Sequence, residues 1–127
     1  MDIMGAYDQL KAGIEAQGID VPIQNNLILR PSGLPAVVIE PVASLLTAHG
    51  YGSDFTGEHQ MCVWVIVPVR GTLREAYETL IPFVEKVLGT PRFYVGPKAE
   101  SEAAVDYGVD LIWDTKVVFA KVLGRVA

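Results

Sequence analysis

The sequence has few residues that bind metals or form disulfide bonds. It contains one cysteine, Cys62, and two histidines, His49 and His59. A single cysteine cannot form an internal disulfide bond, and its place in an apolar run fits a reducing compartment. A zinc site needs three or four ligands, and the spacing of the two histidines and the cysteine matches no such site. Alternation along a strand also puts His59 and Cys62 on opposite faces. We expect solvated histidines, a buried thiol, no metal and no other cofactor.

Basic charge is also scarce. The chain carries 10 Lys and Arg against 15 Asp and Glu, so its formal net charge is −5. This balance argues against ordinary nucleic-acid binding, in which basic side chains displace counterions from phosphates. It is compatible with a channel that encloses DNA without gripping it, because an acidic wall repels a polyanion.

Long apolar runs and targeting signals are missing as well. No run approaches the roughly 20 apolar residues of a membrane span. The start of the chain has an acid, Asp2, where a signal peptide has basic residues, so we expect no signal peptide and no membrane partner. Half of the 127 residues are hydrophobic and a fifth are charged, which predicts one globular domain, residues 1–127.

No catalytic motif stands out. A nucleophilic Cys62 would need a neighbouring base, and packing is the commoner role of a thiol in an apolar strand. The Gly50–Gly52 segment lacks the other residues of a phosphate-binding loop. Asp106 and Asp110 share a strand face and could do acid–base chemistry, although two acids on a solvated strand are commoner.

The chain is organised around residues 57–89, which predict one long strand followed by one helix. In the strand, residues 59–69, the odd positions from Met61 to Val69 are apolar and should face the helix. The even positions Cys62, Trp64 and Ile66 are apolar too, so another part of the chain or another subunit must cover them. Trp64 and Trp113 could therefore stack a ligand or fill a subunit interface.

The helix is predicted over residues 73–88. Thr72 and Glu75 fit a capping box at its start, and Gly89 suits a left-handed cap at its end. Pro82 lies inside the helix, where it removes a hydrogen bond and clashes with the preceding turn. We expect a kink near residues 78–82, or two short helices.

The remaining elements come from shorter patterns. Residues 2–17 predict a helix with an apolar stripe of Ile3, Tyr7, Leu10 and Ile14. Residues 27–29 and 36–39 predict a hairpin of two strands, joined by a turn at Pro31–Pro35 and ended by Pro41. Residues 42–49 fit either two helical turns or a continued strand, and residues 50–57 predict a loop.

The C-terminal third predicts a strand at residues 92–95 and a hairpin. The hairpin has strands at residues 105–113 and 116–126, with a tight turn at Asp114-Thr115. The predicted fold class is therefore α+β. It is a mostly antiparallel sheet packed by an N-terminal helix and one longer helix, about residues 72–88, with a closing C-terminal hairpin.

This order of elements resembles the tail terminator proteins of long-tailed, siphophage-type bacteriophages. The residues that carry the resemblance are Pro35–Pro41, Gly57–Val69 and the helix that begins at Thr72. The family consists of small α+β subunits that close into a hexameric ring. The ring caps the tail tube, ends polymerisation of the major tail tube protein and joins the head connector, while double-stranded DNA passes through its lumen.

The resemblance implies a non-enzymatic virion protein of the tail or neck that is assembled in the host cytoplasm. Its partners would be other copies of itself, the major tail tube protein, the head-closure protein and unspecifically enclosed DNA. We expect the subunit interface at Cys62, Trp64 and Ile66. Contacts to neighbouring rings are expected at Pro31, Pro35, Tyr51, Asp54 and Phe55, and lumen acids at Asp54, Glu58, Asp106 and Asp110.

Two other functions remain open. One is a tail-completion or neck subunit of the head–tail connector, which differs from a terminator in the neighbour that it contacts. The other is a small ligand-binding or enzymatic α+β domain that uses the 50–57 loop and Trp64 as a pocket. Such a domain requires a cavity with convergent polar groups.

Overall fold

The computed structural model describes residues 2–27, 30–48, 55–96 and 104–126. They form two α-helices and six β-strands on a single sheet. The helices are α1 (Ile3–Ala16) and α2 (Leu73–Leu88). The strands are β1 (Ile23–Gln24), β2 (Ala36–Ala48), β3 (Phe55–Pro68), β4 (Phe93–Val95), β5 (Val105–Ile112) and β6 (Thr115–Val126).

The sheet runs in the order β1-β2-β3-β6, and both β4 and β5 pair with the far side of β6. The β1–β2 pair is parallel and every other pair is antiparallel. The predicted α+β class, the mostly antiparallel sheet, the two helices and the closing hairpin are thus confirmed. Neither helix in the described part of the chain has the length and apolar character to cross a membrane.

Both helices pack on one face of the sheet, which we call the helix face. The odd residues of β3 point to this face, as the alternation predicts, and Met61, Val63 and Val65 are fully buried there. Even residues of β6 join them, because Val63 pairs with Val122 and Val65 pairs with Ala120. Apolar burial of this kind contributes about 25 cal/mol per Å², so this face supplies most of the core.

Helix α2 begins and ends where its sequence signals predict. Thr72 caps the start, since its Oγ1 accepts a hydrogen bond of 3.2 Å from the N–H of Glu75. Pro82 lies within one continuous helix, so the prediction of two short helices is wrong. Pro82 and Glu78 are both exposed, so water can bond the carbonyl of Glu78 that Pro82 leaves without a donor. Gly89 caps the end with φ of −84°, and the predicted left-handed cap is also wrong.

Helix α1 lies within the predicted range of residues 2–17. Asp2 caps it, with Oδ1 accepting a hydrogen bond of 2.6 Å from the N–H of Gly5. Tyr7, Leu10 and Ile14 of the predicted stripe are buried, together with Ala6. Ile3 is 36% exposed, since it is the first residue of the helix.

Strand β2 is longer than predicted and has a different partner. It continues from Ala36 through Pro41 to Ala48 and pairs with β3, with an irregular register between Pro41 and Ala43. Proline is tolerated at a bulge or on an edge strand, and β1 covers β2 only opposite Val37 and Val38. The predicted hairpin of residues 27–29 with 36–39 is therefore wrong. Ile28 and Leu29 lie outside the described residues, and the parallel neighbour of β2 is β1.

The C-terminal hairpin has the predicted form with a shift of one residue. Ile112 pairs with Thr115, so the two turn residues are Trp113 and Asp114. Both have positive φ, 52° and 59°, as a two-residue type I′ turn requires. The predicted turn at Asp114-Thr115 is corrected accordingly. The predicted strand at residues 92–95 is β4, which starts at Phe93.

Candidate functional site

The sheet face opposite the helices, which we call the outer face, carries the residues predicted to form a subunit interface. Even residues of β3 point to it, and the odd residues of β6 lie beside them. Near one end of this face, Val38, Ile66 and Val117 form a second buried cluster. The cluster is packed by side chains from the 27–34 segment, β5, β6 and the last turn: Leu27, Leu34, Ile112, Trp113 and Phe119.

A long-range hydrogen bond holds this cover in place. The indole Nε1 of Trp113 donates to the carbonyl oxygen of Leu27 over 2.6 Å, although the two residues are 86 positions apart. The sequence left open whether another part of the chain or another subunit covers the even residues of β3. Over Ile66 the cover is another part of the same chain. Ile66 is fully buried and Cys62 is 8% exposed, so neither offers side-chain surface to a neighbouring subunit, and this correction leaves Trp64 as the candidate.

Trp64 is half-buried on the outer face. Its ring lies 5.3 Å from the ring of Phe119, measured between centroids. On its other side, Nζ of Lys121 lies 4.8 Å from the Trp64 ring centroid, in cation–π geometry. The tryptophan is thus held in one place by its own chain while part of its surface stays open to a partner.

The Cys62 thiol is suited to packing. Burial raises its pKa, and the carboxylates of Glu40 and Asp106 raise it further, while Lys121 acts in the opposite direction. A nucleophilic cysteine needs a lowered pKa, so these surroundings keep the thiol protonated at neutral pH. His59 cannot assist it, because His59 is buried on the helix face. The expectation of a solvated histidine is therefore wrong for His59.

The distal half of the β2–β3 hairpin extends beyond the rest of the sheet. Pairs between the two strands run on to Thr47 with Thr56 and Ala48 with Phe55. On the other side of β3, the pairing with β6 begins only at His59. Within the described residues, 45–48 and 55–58 therefore pair only with each other. We call this two-stranded segment the arm.

The arm includes several residues that the sequence predicted to contact other rings or the lumen. Phe55 and Glu58 belong to β3, so residues 55–57 of the predicted 50–57 loop are strand instead. Residues 42–48 are strand, which settles the choice between helix and strand for them. Tyr51, Asp54 and His49 lie outside the described residues.

The two remaining lumen candidates lie on β5. Asp106 and Asp110 share the outer face, as predicted, because they pair with Lys121 and Val117 of β6. Both are exposed, and neither forms an ion pair within the described part of the chain. Gly108 lies between them under the Phe119 ring, where an added Cβ would come within 2.5 Å of Phe119 Cζ.

A cleft of about 290 Å³ lies beside the covered end of the outer face. Arg30 and Arg70 line it together with Pro31, Leu34 and Trp113, and no acidic residue does. The two arginines have no ion-pair partner among the described residues. Sequence reasoning missed them because they are 40 positions apart and belong to no motif. An adjoining cleft of about 190 Å³ includes Pro35 and Glu75.

The described residues contain no group of three or more His, Cys, Asp or Glu that could hold a metal ion. Trp64 lines neither cleft, so the predicted pocket of Trp64 with the 50–57 loop is not one of them. Comparison with known proteins finds no family model and no curated protein that matches this chain.

Proposed function

We propose that this protein is a structural virion subunit that closes the tail of a long-tailed bacteriophage. Copies of the chain form a hexameric ring on the end of the tail tube. The ring stops further polymerisation of the tube protein, presents a surface to the head connector and lets DNA pass through its lumen. The protein acts through its contacts with neighbours and carries out no reaction.

The arm is the observation that carries this proposal. A two-stranded hairpin without further partners is marginally stable in water, and exposed strand edges invite pairing with another chain. A chain that extends such a hairpin gains stability when a neighbour covers it. In a ring, the next subunit or the next ring would provide that cover. Of the residues predicted to make ring contacts, Phe55 belongs to the arm, where it pairs with Ala48. Tyr51 and Asp54 lie outside the described residues.

Two further features support an assembled protein. Trp64 keeps part of an aromatic surface open on the outer face, and aromatic residues are enriched at interfaces. The net charge of −5 suits a lumen that a polyanion must traverse without being held. Each of these features fits the terminator ring and also fits the tail-completion or neck subunit.

Negative-stain microscopy tests the proposal. The purified chain is imaged alone and after mixing with the tail tube protein of the same phage. Six-fold rings, or tubes capped at a fixed length, are the expected result. A subunit that neither forms rings nor changes tube growth would overturn the terminator function. If the subunit instead binds only the head-closure protein, it is a neck subunit.

An arm-shortened variant tests the observation itself. Residues 45–58 are replaced by Asn-Gly, so that Ser44 and His59 flank a two-residue turn. We expect the melting temperature of the body to change little, since β2 keeps its pairs up to Ser44, while ring formation and tube capping are lost. The matched control replaces only residues 49–54, which join the two strands along the chain. Normal capping by the shortened, folded variant would show that the arm is not the assembly element.

The arginine cleft favours a second candidate function, the binding of a small anion. Arg30 and Arg70 both line the cleft and carry the charge that an oxyanion needs, and Trp113 and Leu34 supply apolar walls. Titration with citrate and phosphate, followed by the fluorescence of Trp113 in a Trp64→Phe background, tests it. Binding that is lost in Arg70→Gln and kept in the control Arg74→Gln would favour this function.

A further inference from the structure

The outer edge of β5 is an unpaired strand edge. β5 pairs with β6 on one side, and no described strand pairs with its other side. In a hairpin with a two-residue turn, the pair next to the turn is hydrogen-bonded, and the bonding direction alternates from there. Ile112 is next to the turn, so Val105, Tyr107, Val109 and Leu111 direct their backbone N–H and C=O groups away from β6.

A local hydrogen bond supports this assignment. The N–H of Leu111 donates to the carboxylate Oδ1 of its neighbour Asp110 over 2.7 Å, which a donor engaged in the β6 ladder would not do. This bond satisfies one outward N–H and blocks that end of the edge. The open stretch of backbone donors and acceptors is therefore Val105–Val109.

The side chains on this edge are apolar on the helix face. Tyr107, Val109 and Leu111 are 51%, 42% and 68% exposed, since α2 does not reach over them. Among the described residues, the one aromatic contact from α2 is at the margin of this surface, where the Tyr77 ring meets the edge of the Tyr107 ring with centroids 6.5 Å apart and leaves Tyr107 half exposed. Ile81, one helical turn after Tyr77, is itself 43% exposed. A strand added to β5 would place its own helix-face side chains against Tyr107 and Val109 and bury this apolar surface.

The charges on the other face select the partner. An added strand would pass Asp106 and Asp110, so acidic side chains on that strand would be repelled and basic ones attracted. Two copies of β5 paired antiparallel about Gly108 would set Asp106 directly against Asp110. The β2 edge of another copy would bring Glu40, which adds a further negative charge, and Pro41, which has no backbone N–H to donate. Self-pairing is disfavoured in both arrangements.

We propose that the β5 edge binds an extended segment of another protein by strand addition, and that this segment alternates basic side chains on one face with apolar side chains on the other. The inference rests on the edge geometry and does not need the proposed tail function. The lumen role of Asp106 and Asp110 stays a separate prediction.

A designed peptide tests the proposal. The probe is Val-Lys-Val-Lys-Val-Lys-Val with blocked ends, and the control peptide has Glu in place of Lys. NMR titration of the whole chain should show slowed amide exchange at Val105, Tyr107 and Val109 with the Lys peptide. The Glu peptide should bind at least tenfold more weakly. Equal binding of both peptides, or protection only at other strands, would overturn the proposal.

Two variants separate backbone pairing from charge. Val109→Pro removes one outward N–H and leaves the β6 ladder intact, so Lys-peptide binding should fall at least tenfold, whereas the shape-matched Val109→Thr should bind normally. Asp106→Lys combined with Asp110→Lys should reverse the preference towards the Glu peptide. A further measurement leaves the protein unchanged and N-methylates alternate residues of the Lys peptide, in one of two sets. Methylation of the set whose N–H groups point to β5 should abolish binding, and methylation of the other set should not. Undiminished binding with both methylated sets would contradict strand addition.

Discussion

The β2–β3 hairpin contains two regions that differ in how they are stabilised. In the body of the hairpin, residues 36–41 and 61–68, side chains are buried on both sheet faces, with Val65 towards the helices and Ile66 towards the outer cluster. In the arm the same two strands continue with only each other as partners. One pair of strands thus combines a stable core with a segment whose stability depends on a neighbour. Packing, rather than strand length, determines which part of this fold is self-sufficient.

The largest loss of stability should follow from placing a charge in the body. Val65→Asp buries a carboxylate without a partner on the helix face, where Val65 is fully buried. We expect a loss of about 4 kcal/mol or more in the free energy of unfolding, enough to abolish the cooperative transition. Urea unfolding followed by circular dichroism measures it.

The matched control is Val42→Asp, at the register shift where the body gives way to the arm. Val42 is 55% exposed, so its replacement should change stability by less than about 0.5 kcal/mol. Similar losses for both variants would mean that the two regions do not differ in packing as described.

A smaller loss is expected for Trp64→Arg. The variant removes the ring contact with Phe119 and places a second cation next to Lys121, so we expect a loss of about 1–3 kcal/mol with the fold retained. Ring formation, scored by microscopy, should be lost, because the charge lies on the predicted subunit interface. Trp64→Phe keeps an aromatic ring and should assemble. Complete unfolding of Trp64→Arg would instead place Trp64 in the core.

The cap of α2 offers a measurement away from both regions. Thr72→Ala removes the acceptor of the Glu75 N–H and should cost about 1 kcal/mol, whereas Thr72→Ser should cost little. Ring formation should survive in both, as the cap is remote from Trp64 and the arm. An assembly defect in Thr72→Ala without unfolding would show that α2 takes part in the interface.

The smallest effect concerns pH. The pKa of Cys62 is raised in the folded chain, so the folded state holds this proton more tightly than the unfolded state. Its contribution to stability is complete below the unfolded thiol pKa of about 8.5 and is lost as the pH rises through the folded value. Melting temperatures at pH 7 and 9.5 should therefore fall less for Cys62→Ala than for the unchanged chain. An equal fall of the melting temperature in both proteins would contradict a raised pKa of Cys62.

The sequence predicted those elements whose signals are local. The alternation in residues 59–69 and the periodicity of residues 73–88 gave β3 and α2 with their correct faces, because each pattern depends on neighbours a few positions away. Asp106 and Asp110 were placed on one face for the same reason. Pro41 misled the prediction, since a proline stops a regular central strand but is accommodated by the register shift in β2.

The elements that depend on distant packing were not predictable. β1 has two residues and no pattern of its own, so only its pairing with β2 defines it. The cover over Ile66 depends on Leu27 and Trp113 meeting across most of the chain. Because this cover was not predictable, Cys62 and Ile66 were expected at an interface together with Trp64. In the structure, Trp64 is the one of these three residues that keeps open surface. The arginine cleft and the free edge of β5 arise from the same long-range arrangement.

The hydrogen bond between Trp113 and Leu27 also has a spectroscopic consequence. The chain has two tryptophans, and both pack with the cluster on the outer face, whereas both helices lie on the other side of the sheet. Intrinsic fluorescence therefore reports on the outer face, and far-ultraviolet circular dichroism is dominated by the helices. Following both signals during refolding would time the closure of the 27–113 contact against helix formation. Because that contact spans 86 positions, we expect it to form after the two helices, whose contacts are local.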